Sequence, residues 1–489
     1  MNSKKNVSSL SDHKLLKKKG IIVTPFNDAL RDKMTLTSWT EDRMPEYLWL
    51  GLILILYGRT EGFSKAGQIL YEISNSVTSL SQPKLSSILK LPDKDQKIIY
   101  EIIKKIVDRG VFAPLTVLYR NNSYPLFNEY FYEAQLKVED RIKILLDAVK
   151  IYTPHQSNEA TDLRFLSLGL LLFSGRLYLP RGPASDAFKE YPYTNHDDEK
   201  MRRYRPTIRA SEGAGAFMEQ DIGFRDRFWR DIGMITPCNP VMINFDENHD
   251  DYKDFIGECQ KVLEFVLSSN KDKSLSEDRF QVIIGSVNYS LKIFIEIIER
   301  SLSASILGRH GLRTLIEIYI MLKYLQKKES DNPKIWMEYK LYGISKYKLI
   351  LLKARESKLD GTSHFIPPIA EALVNEIRWE ELIDVDLKYF DKQGIREKSI
   401  EVGEKELYDL FYDYDSNFSH GLWGAIRESS MLHCDNAAHR YHSIPDIYSM
   451  QSLPDVKSES FMILKKILLI FAHTYTFPKS MLPQLADEI

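Results

Sequence analysis

Residues 303–328 read SASILGRHGLRTLIEIYIMLKYLQKK, an apolar run with charged groups set into it. At about 100° per residue, Arg309, Arg313 and Glu317 fall on one stripe that Ile316, Ile320 and Tyr324 continue. The polar groups therefore share the apolar face of a helix, and charge on such a face is costly unless it is paired or used. Arg313 and Glu317 stand four apart with the cation nearer the amino end, the weaker order for an intrahelical pair, so one or both should reach across a bundle.

A companion run covers residues 409–427. Asp409, Asp413, Ser416, Asn417 and His420 recur there at helical spacing, and Gly421 and Gly424 follow, where another helix or a ligand can approach the backbone. A histidine oriented by a carboxylate serves as general acid or base, and an arginine beside it binds phosphate or a developing oxyanion. The competing reading is a buried network in which Arg313, Glu317, Ser416 and His420 satisfy one another and fix helix register.

Working outward, the chain is predicted to be all-α. Residues 1–40 mix lysine, serine and asparagine without a sustained period and read as a basic flexible arm; Lys17, Lys18 and Lys19 read as a solvated tail. An amino-terminal multi-helix domain is expected over residues 41–180, with Pro45 opening and Gly58 closing its first helix. Asp93 caps a second helix, whose stripe is Ile98, Ile99, Ile102, Ile103 and Ile106. Residues 119–127 have the composition of a short hairpin. Proline, glycine and polar runs break the period over residues 181–250, giving an irregular arginine-rich connector that ends in the acidic FDENHDD. Residues 251–489 read as a carboxy-terminal helical bundle holding the site, with loops at residues 361–368 and 434–446.

Composition narrows the function. A formal charge of -2 gives no overall pull toward nucleic acid or an anionic membrane, so such a contact must come from a local patch. The connector has one: Arg202, Arg203, Arg205, Arg209, Arg227 and Arg230 interleave with Tyr204, Phe224, Phe228 and Trp229, a pattern that can hold phosphates and stack bases. Its bland alternative is arginines paired with nearby carboxylates and aromatics turned inward. Three separated cysteines outside any CxxC spacing argue for a reducing compartment, and the apolar runs fall short of the roughly 20 residues a membrane span needs. The expected location is the cytoplasm, with no membrane partner.

No GxxxxGK[ST], GxSxG or HExxH pattern occurs. His433, Cys434, Asp435, His439 and His442 are the one cluster of metal-ligand types, but without a recognised zinc spacing it reads as chance. No metal or other cofactor is expected.

The segment LGRHGLRTLIEIYIMLKYL, followed about a hundred residues later by DSNFSHG, resembles the bacterial family known as domain of unknown function 5677, marked by an Arg-x-x-x-Glu helix and a Ser-x-x-x-His-Gly helix. Arg313 and Glu317 match the first motif, and Ser416, His420 and Gly421 the second, over roughly residues 255–435. The family is similar in flavour to the HEPN superfamily, helical and often dimeric ribonucleases of toxin, antiphage or RNA-processing systems, whose arginine stands four to six residues before the histidine. Here Tyr414, Asp415 and Ser416 occupy those positions, so Arg313 or Arg309 would come from the neighbouring helix. The resemblance implies an RNA-binding or RNA-cleaving effector of bacterial defence or stress response, possible as a homodimer. If it is an enzyme, it is a metal-independent endoribonuclease, with His420 as acid or base, Arg313 as phosphate partner, and Glu317, Ser416 and Asn417 orienting them. The alternative is a non-catalytic interaction module for a protein partner or small ligand.

Overall fold

The helical period carries through to the structure. A computed structural model describes residues 9–16, 18, 20–30, 37–178, 182–215, 221–246, 248–357, 364–385, 391–440, 442–448, 451–485 and 488. Among them the chain is all-α apart from two small sheets. It divides into two units, Met1–Asn239 with Cys434–His442, and Pro240–His433 with Ser443–Ile489.

In the first unit the arm is more regular than its composition suggests. Strands β1 (Lys14–Leu16) and β2 (Ile21–Val23) pair antiparallel, Lys14 opposite Val23, and a short helix spans Pro25–Leu30; Lys17 and Lys19 lie outside the described residues. The core is built on α1 (Met44–Ser76), with Pro45 in its first turn. Gly58 breaks α1 with φ +72°, as its sequence signal required, but the chain resumes as helix beyond it. Helices α2 (Asp93–Ile106), α3 (Val138–Tyr152) and α4 (Asn158–Ser167) pack on α1. On α2, Ile99, Ile102 and Ile103 are buried and Ile98 and Ile106 half-buried, which is the face the stripe marks. Residues 119–127 form no strand: the chain turns and enters a helix at Pro125–Phe131, because Pro125 suits a first helical turn and removes a ladder donor.

The stretch expected as an irregular connector is largely helical and belongs to this core. It holds α5 (Met201–Gly215) and α6 (Ile222–Ile235). Met201, Tyr204, Ile208, Phe224, Phe228, Trp229 and Ile232 are buried with the α1 core. Pro206 and the glycines masked an underlying period that burial sustains.

The second unit is centred on α9 (Ile306–Lys328), opened by Ser305, whose hydroxyl accepts from Gly308 N at 3.2 Å. Around α9 stand α7 (Lys253–Ser269), α8 (Asp278–Glu299) and α10 (Ile335–Glu356), followed by α11 (Ile395–Glu401), α12 (Asp413–Ser419), α13 (Trp423–Ser430) and α14 (Lys457–Thr474). α9 itself packs on α8, α11, α12 and α14. Leu312, Leu315, Ile316, Ile320 and Leu325 of α9 meet Ile463, Leu464, Ile467 and Phe471 of α14 in one apolar core. Among the described residues only α8 is long and apolar enough to cross a membrane, and its Phe280, Ile283, Val287 and Phe294 are in the same core.

Residues 434–446, expected as a loop, are partly extended. Strand β4 (Met431–Cys434) lies between β3 (Pro240–Val241) and β5 (Ser443–Pro445), antiparallel to β5 with Leu432 opposite Ile444. Each strand is too short for an alternating pattern to stand out. Gly361, Thr362 and Ser363 of the other expected loop lie outside the described residues.

A tyrosine-lined cleft beside the central helix

The α9 stripe puts Arg309, Arg313 and Glu317 on its site side. Arg309 is buried, while Arg313 and Glu317 keep 24% and 32% of their side chains exposed. The facing wall comes from a helical turn at Tyr408–Tyr412 that runs into α12. The helix does not continue to residue 427. Gly421 N bonds Phe418 O at 3.2 Å, Leu422 N bonds Asn417 O at 3.0 Å, and Gly421 takes φ +58°. This is the paired-bond stop that a glycine after the C-cap permits. His420 is thus the cap residue, exposed at the end of α12 rather than inside a helix.

Arg313 reaches across, as its unfavourable intrahelical order implied. Its Nε donates to Ser416 Oγ at 3.0 Å and its Nη2 to Tyr412 OH at 2.6 Å. Tyr412 in turn donates to Glu317 Oε2 at 3.1 Å, and Glu317 lies 3.3 Å from Arg313 Nη1. Ser416 passes its own proton to Tyr412 O at 2.7 Å. Burial and the Glu317 carboxylate push the Tyr412 phenol up, so it stays a donor. The guanidinium also rests 4.5 Å from the Tyr412 ring centre, and Tyr408 stacks on Tyr412 at 4.9 Å.

Arg313, Ser416, Asn417 and His420 line one cleft of about 640 Å³, together with Tyr408 and Tyr412. Asp409 and Asp413, on the predicted stripe, line it too. Four of the five candidate residues therefore meet at the cleft, and Glu317 joins them through Arg313 and Tyr412. Asn417 turns its amide back to Asp413 O at 2.7 Å. Among the described residues the His420 ring makes no hydrogen bond, so it stands outside the Arg313 network.

Sequence reasoning passed over two residues. Tyr412 carries the link between Arg313 and Glu317; its signal was only a tyrosine four positions before Ser416. In the sequence Asp415 is marked only by standing where an arginine is wanted, yet it is 1% exposed and neither carboxylate oxygen has a partner among the described residues. Burial pushes its pKa up to about 7, with Glu459 and Glu428 adding to the rise and Arg309 and Arg313 opposing it. Arg309 is itself short of partners. It donates from Nη2 to Pro454 O at 2.6 Å, its Nε is unbonded among the described residues, and it packs 5.9 Å from the Tyr414 ring and 6.0 Å from Phe418. A buried carboxyl poised near neutrality behind a cleft is the kind of group that functional sites retain at a cost in stability.

Residues 282–439 match the model of a family described as Family of unknown function (DUF5677). Over this span the chain is similar to DUF5677. The match begins within α8 and takes in Arg313, Glu317, Tyr412, Asp415, Ser416 and His420, so every residue of the cleft network lies inside the DUF5677 segment. No curated protein and no solved structure matched the chain.

The arginine-rich stretch lies in the first unit, outside the DUF5677 segment. Tyr204, Phe224, Phe228 and Trp229 are buried there and present no stacking faces. Arg205 donates to His196 O, Arg209 to Thr161 Oγ1 at 2.9 Å and Gln156 O at 2.6 Å, Arg227 to Tyr124 OH at 3.1 Å, and Arg230 to Asp231 at 2.9 Å. Arg202 and Arg203 are exposed on α5. Of the loop cluster read as chance, His433 and Asp435 stay apart, whereas Cys434, His439 and His442 gather with Cys238 as possible metal ligands.

Proposed function

We propose that the DUF5677 segment forms a metal-independent RNA-processing module, taking a single-stranded RNA segment into the cleft beside α9. The observation that carries this reading is that His420, with an unengaged ring, opens onto the same cleft as Arg313. A guanidinium has five N–H donors, and Arg313 commits one from each nitrogen to Ser416, Tyr412 and Glu317, which leaves two for a phosphate. In the proposed reaction His420 takes the proton of a ribose 2′-hydroxyl as the 2′-oxygen attacks the adjacent phosphorus. The bond to the 5′-oxygen breaks, that oxygen leaves protonated by solvent, and a 2′,3′-cyclic phosphate remains. Arg313 balances charge on the non-bridging oxygens, and Glu317, Tyr412 and Ser416 hold it in place. The Tyr408 and Tyr412 rings offer faces for bases. HEPN kinship, an RNA partner and a role in cytoplasmic defence or stress response belong to this proposal.

A second reading has its own observation. Arg313, Glu317, Tyr412 and Ser416 already satisfy one another, which suits a non-catalytic interaction module whose polar stripe fixes helix register.

Incubating a cellular RNA pool with wild type, His420→Ala and Arg313→Ala, with chelator present and folding checked by melting, separates the two. Cleavage by wild type that both folded variants lose supports the nuclease. An intact pool in all three, with Arg313→Ala melting well below wild type, refutes it in favour of the scaffold.

A further inference from the structure

The first unit contains a four-residue constellation that plays no part in the cleft. Cys238 follows α6, and Cys434, His439 and His442 come from the segment that rejoins this unit from far along the chain. One ligand atom from each lies within 4.8 Å of all the others. Cys238 Sγ is 3.6 Å from His439 Nδ1 and 3.6 Å from His442 Nδ1, and Cys434 Sγ is 3.4 Å from His439 Nδ1. With metal–sulfur and metal–nitrogen bonds of about 2.3 and 2.0–2.1 Å, the sulfur–nitrogen edge of a tetrahedron comes to roughly 3.5 Å. The observed edges fit that figure.

The tautomer of His439 is fixed independently. Its Nε2 lies 3.2 Å from Thr236 O and 3.0 Å from Thr236 Oγ1. A carbonyl only accepts, and the Thr236 hydroxyl spends its proton on Ile232 O at 2.9 Å. Nε2 must therefore carry the hydrogen, which leaves the Nδ1 lone pair aimed at the two sulfurs. Metal-bound histidines are oriented by this kind of outer hydrogen bond. The chain around the sulfurs is locked as well: Asn239 N donates to Cys434 Sγ at 3.4 Å, Asp435 N to Asn239 O at 2.8 Å, and Asn436 Nδ2 to Pro237 O at 2.8 Å.

We propose that Cys238, Cys434, His439 and His442 bind one Zn²⁺ ion in a structural site. Two thiolates and two imidazoles, three of whose sulfur–nitrogen edges match a tetrahedron, select zinc among common divalent ions, and four protein ligands leave no open position for catalysis. Cys238 and His442 are exposed and border a cleft of about 640 Å³, which gives the ion a way in. The ion fastens residues 434–442 to the end of α6, where Ala438 is already 2% exposed in the α1 core. Sequence spacing hid the site because its first ligand precedes the others by almost two hundred residues.

The test uses the full chain, purified under reducing conditions. Elemental analysis is expected to give about one zinc per chain after dialysis against Zn²⁺ and removal of loose metal. Titrating metal-free protein with Co²⁺ should give the intense visible bands of a tetrahedral ion and sulfur-to-cobalt charge transfer, both abolished by one equivalent of Zn²⁺. Cys434→Ser should weaken Co²⁺ binding by more than the ~10–100-fold that loss of an outer partner costs. Cys259→Ser, altering a buried cysteine on α7, should leave the spectrum unchanged. If Cys434→Ser does not fold, the wild-type titration decides. Zinc well below one per chain with only the weak octahedral Co²⁺ spectrum would overturn the proposal, as would a two-thiolate spectrum retained by Cys434→Ser.

Discussion

Replacing Asp415 with asparagine should stabilise the protein at neutral and alkaline pH. The carboxyl is 1% exposed and unbonded among the described residues, so ionising it in the folded state means placing a charge where little answers it. A rise in its pKa from 3.8 to about 7 corresponds to about 4 kcal/mol. Below about pH 4 the group is protonated in both folded and unfolded chains and no charge is buried. As pH climbs, the unfolded chain ionises first, so wild type loses stability progressively until about pH 7 and little thereafter through this group. Asparagine has nearly the same shape and never ionises. Urea denaturation of wild type and Asp415→Asn from pH 4 to pH 9 should give curves that start close together and separate by about 4 kcal/mol by pH 8. A constant offset across the range, or a variant less stable than wild type at pH 8, would refute the reasoning. Taking the difference between the two proteins cancels the titrating groups that do not interact with Asp415, leaving Asp415 and its coupling to Glu459 and Glu428.

Four further substitutions probe the same unit. Arg313→Ala should cost about 1.5–3 kcal/mol in urea denaturation, the range for hydrogen bonds to a charged group, while His420→Ala, exposed and outside the network, should stay within about 0.5 kcal/mol of wild type. At Gly308 an added Cβ would stand 2.3 Å from Leu302 O, so Gly308→Ala forces the start of α9 to shift and should cost about 1–3 kcal/mol, read as a lower melting temperature. Gly421→Ala meets no neighbour within 4 Å but must hold φ +58°, and should cost about 1–2 kcal/mol by the same melt.

Much of the second unit was legible because its signals are local. The apolar stripe places α9, and the cation-first order of Arg313 and Glu317 predicts that one or both reach across, as Arg313 does. The facing residues share a face for the same reason, and only the stop at Gly421 changed where His420 sits. What stayed hidden depended on distant chain. Asp415 lies between Asp413 and Asn417 in a polar run, and its burial comes from packing that the run does not encode. Helices α5 and α6 look broken in sequence because proline and glycine dominate the local signal, whereas burial of Ile208, Phe228 and Ile232 supplies the order. Cys238 has no metal partner within its own segment.

The split composition of the first unit sets an order of events during synthesis. Its last piece, residues 434–442, leaves the ribosome only after all of residues 240–433. Until then Thr236 lacks its His439 partner and the site of Ala438 in the α1 core stays unfilled. The amino-terminal half, although made first, must wait in an unfinished state, and closing contacts so distant along the chain is slow. A chain stalled or cut before residue 434 should therefore expose this surface to proteolysis, even with every residue up to 239 present.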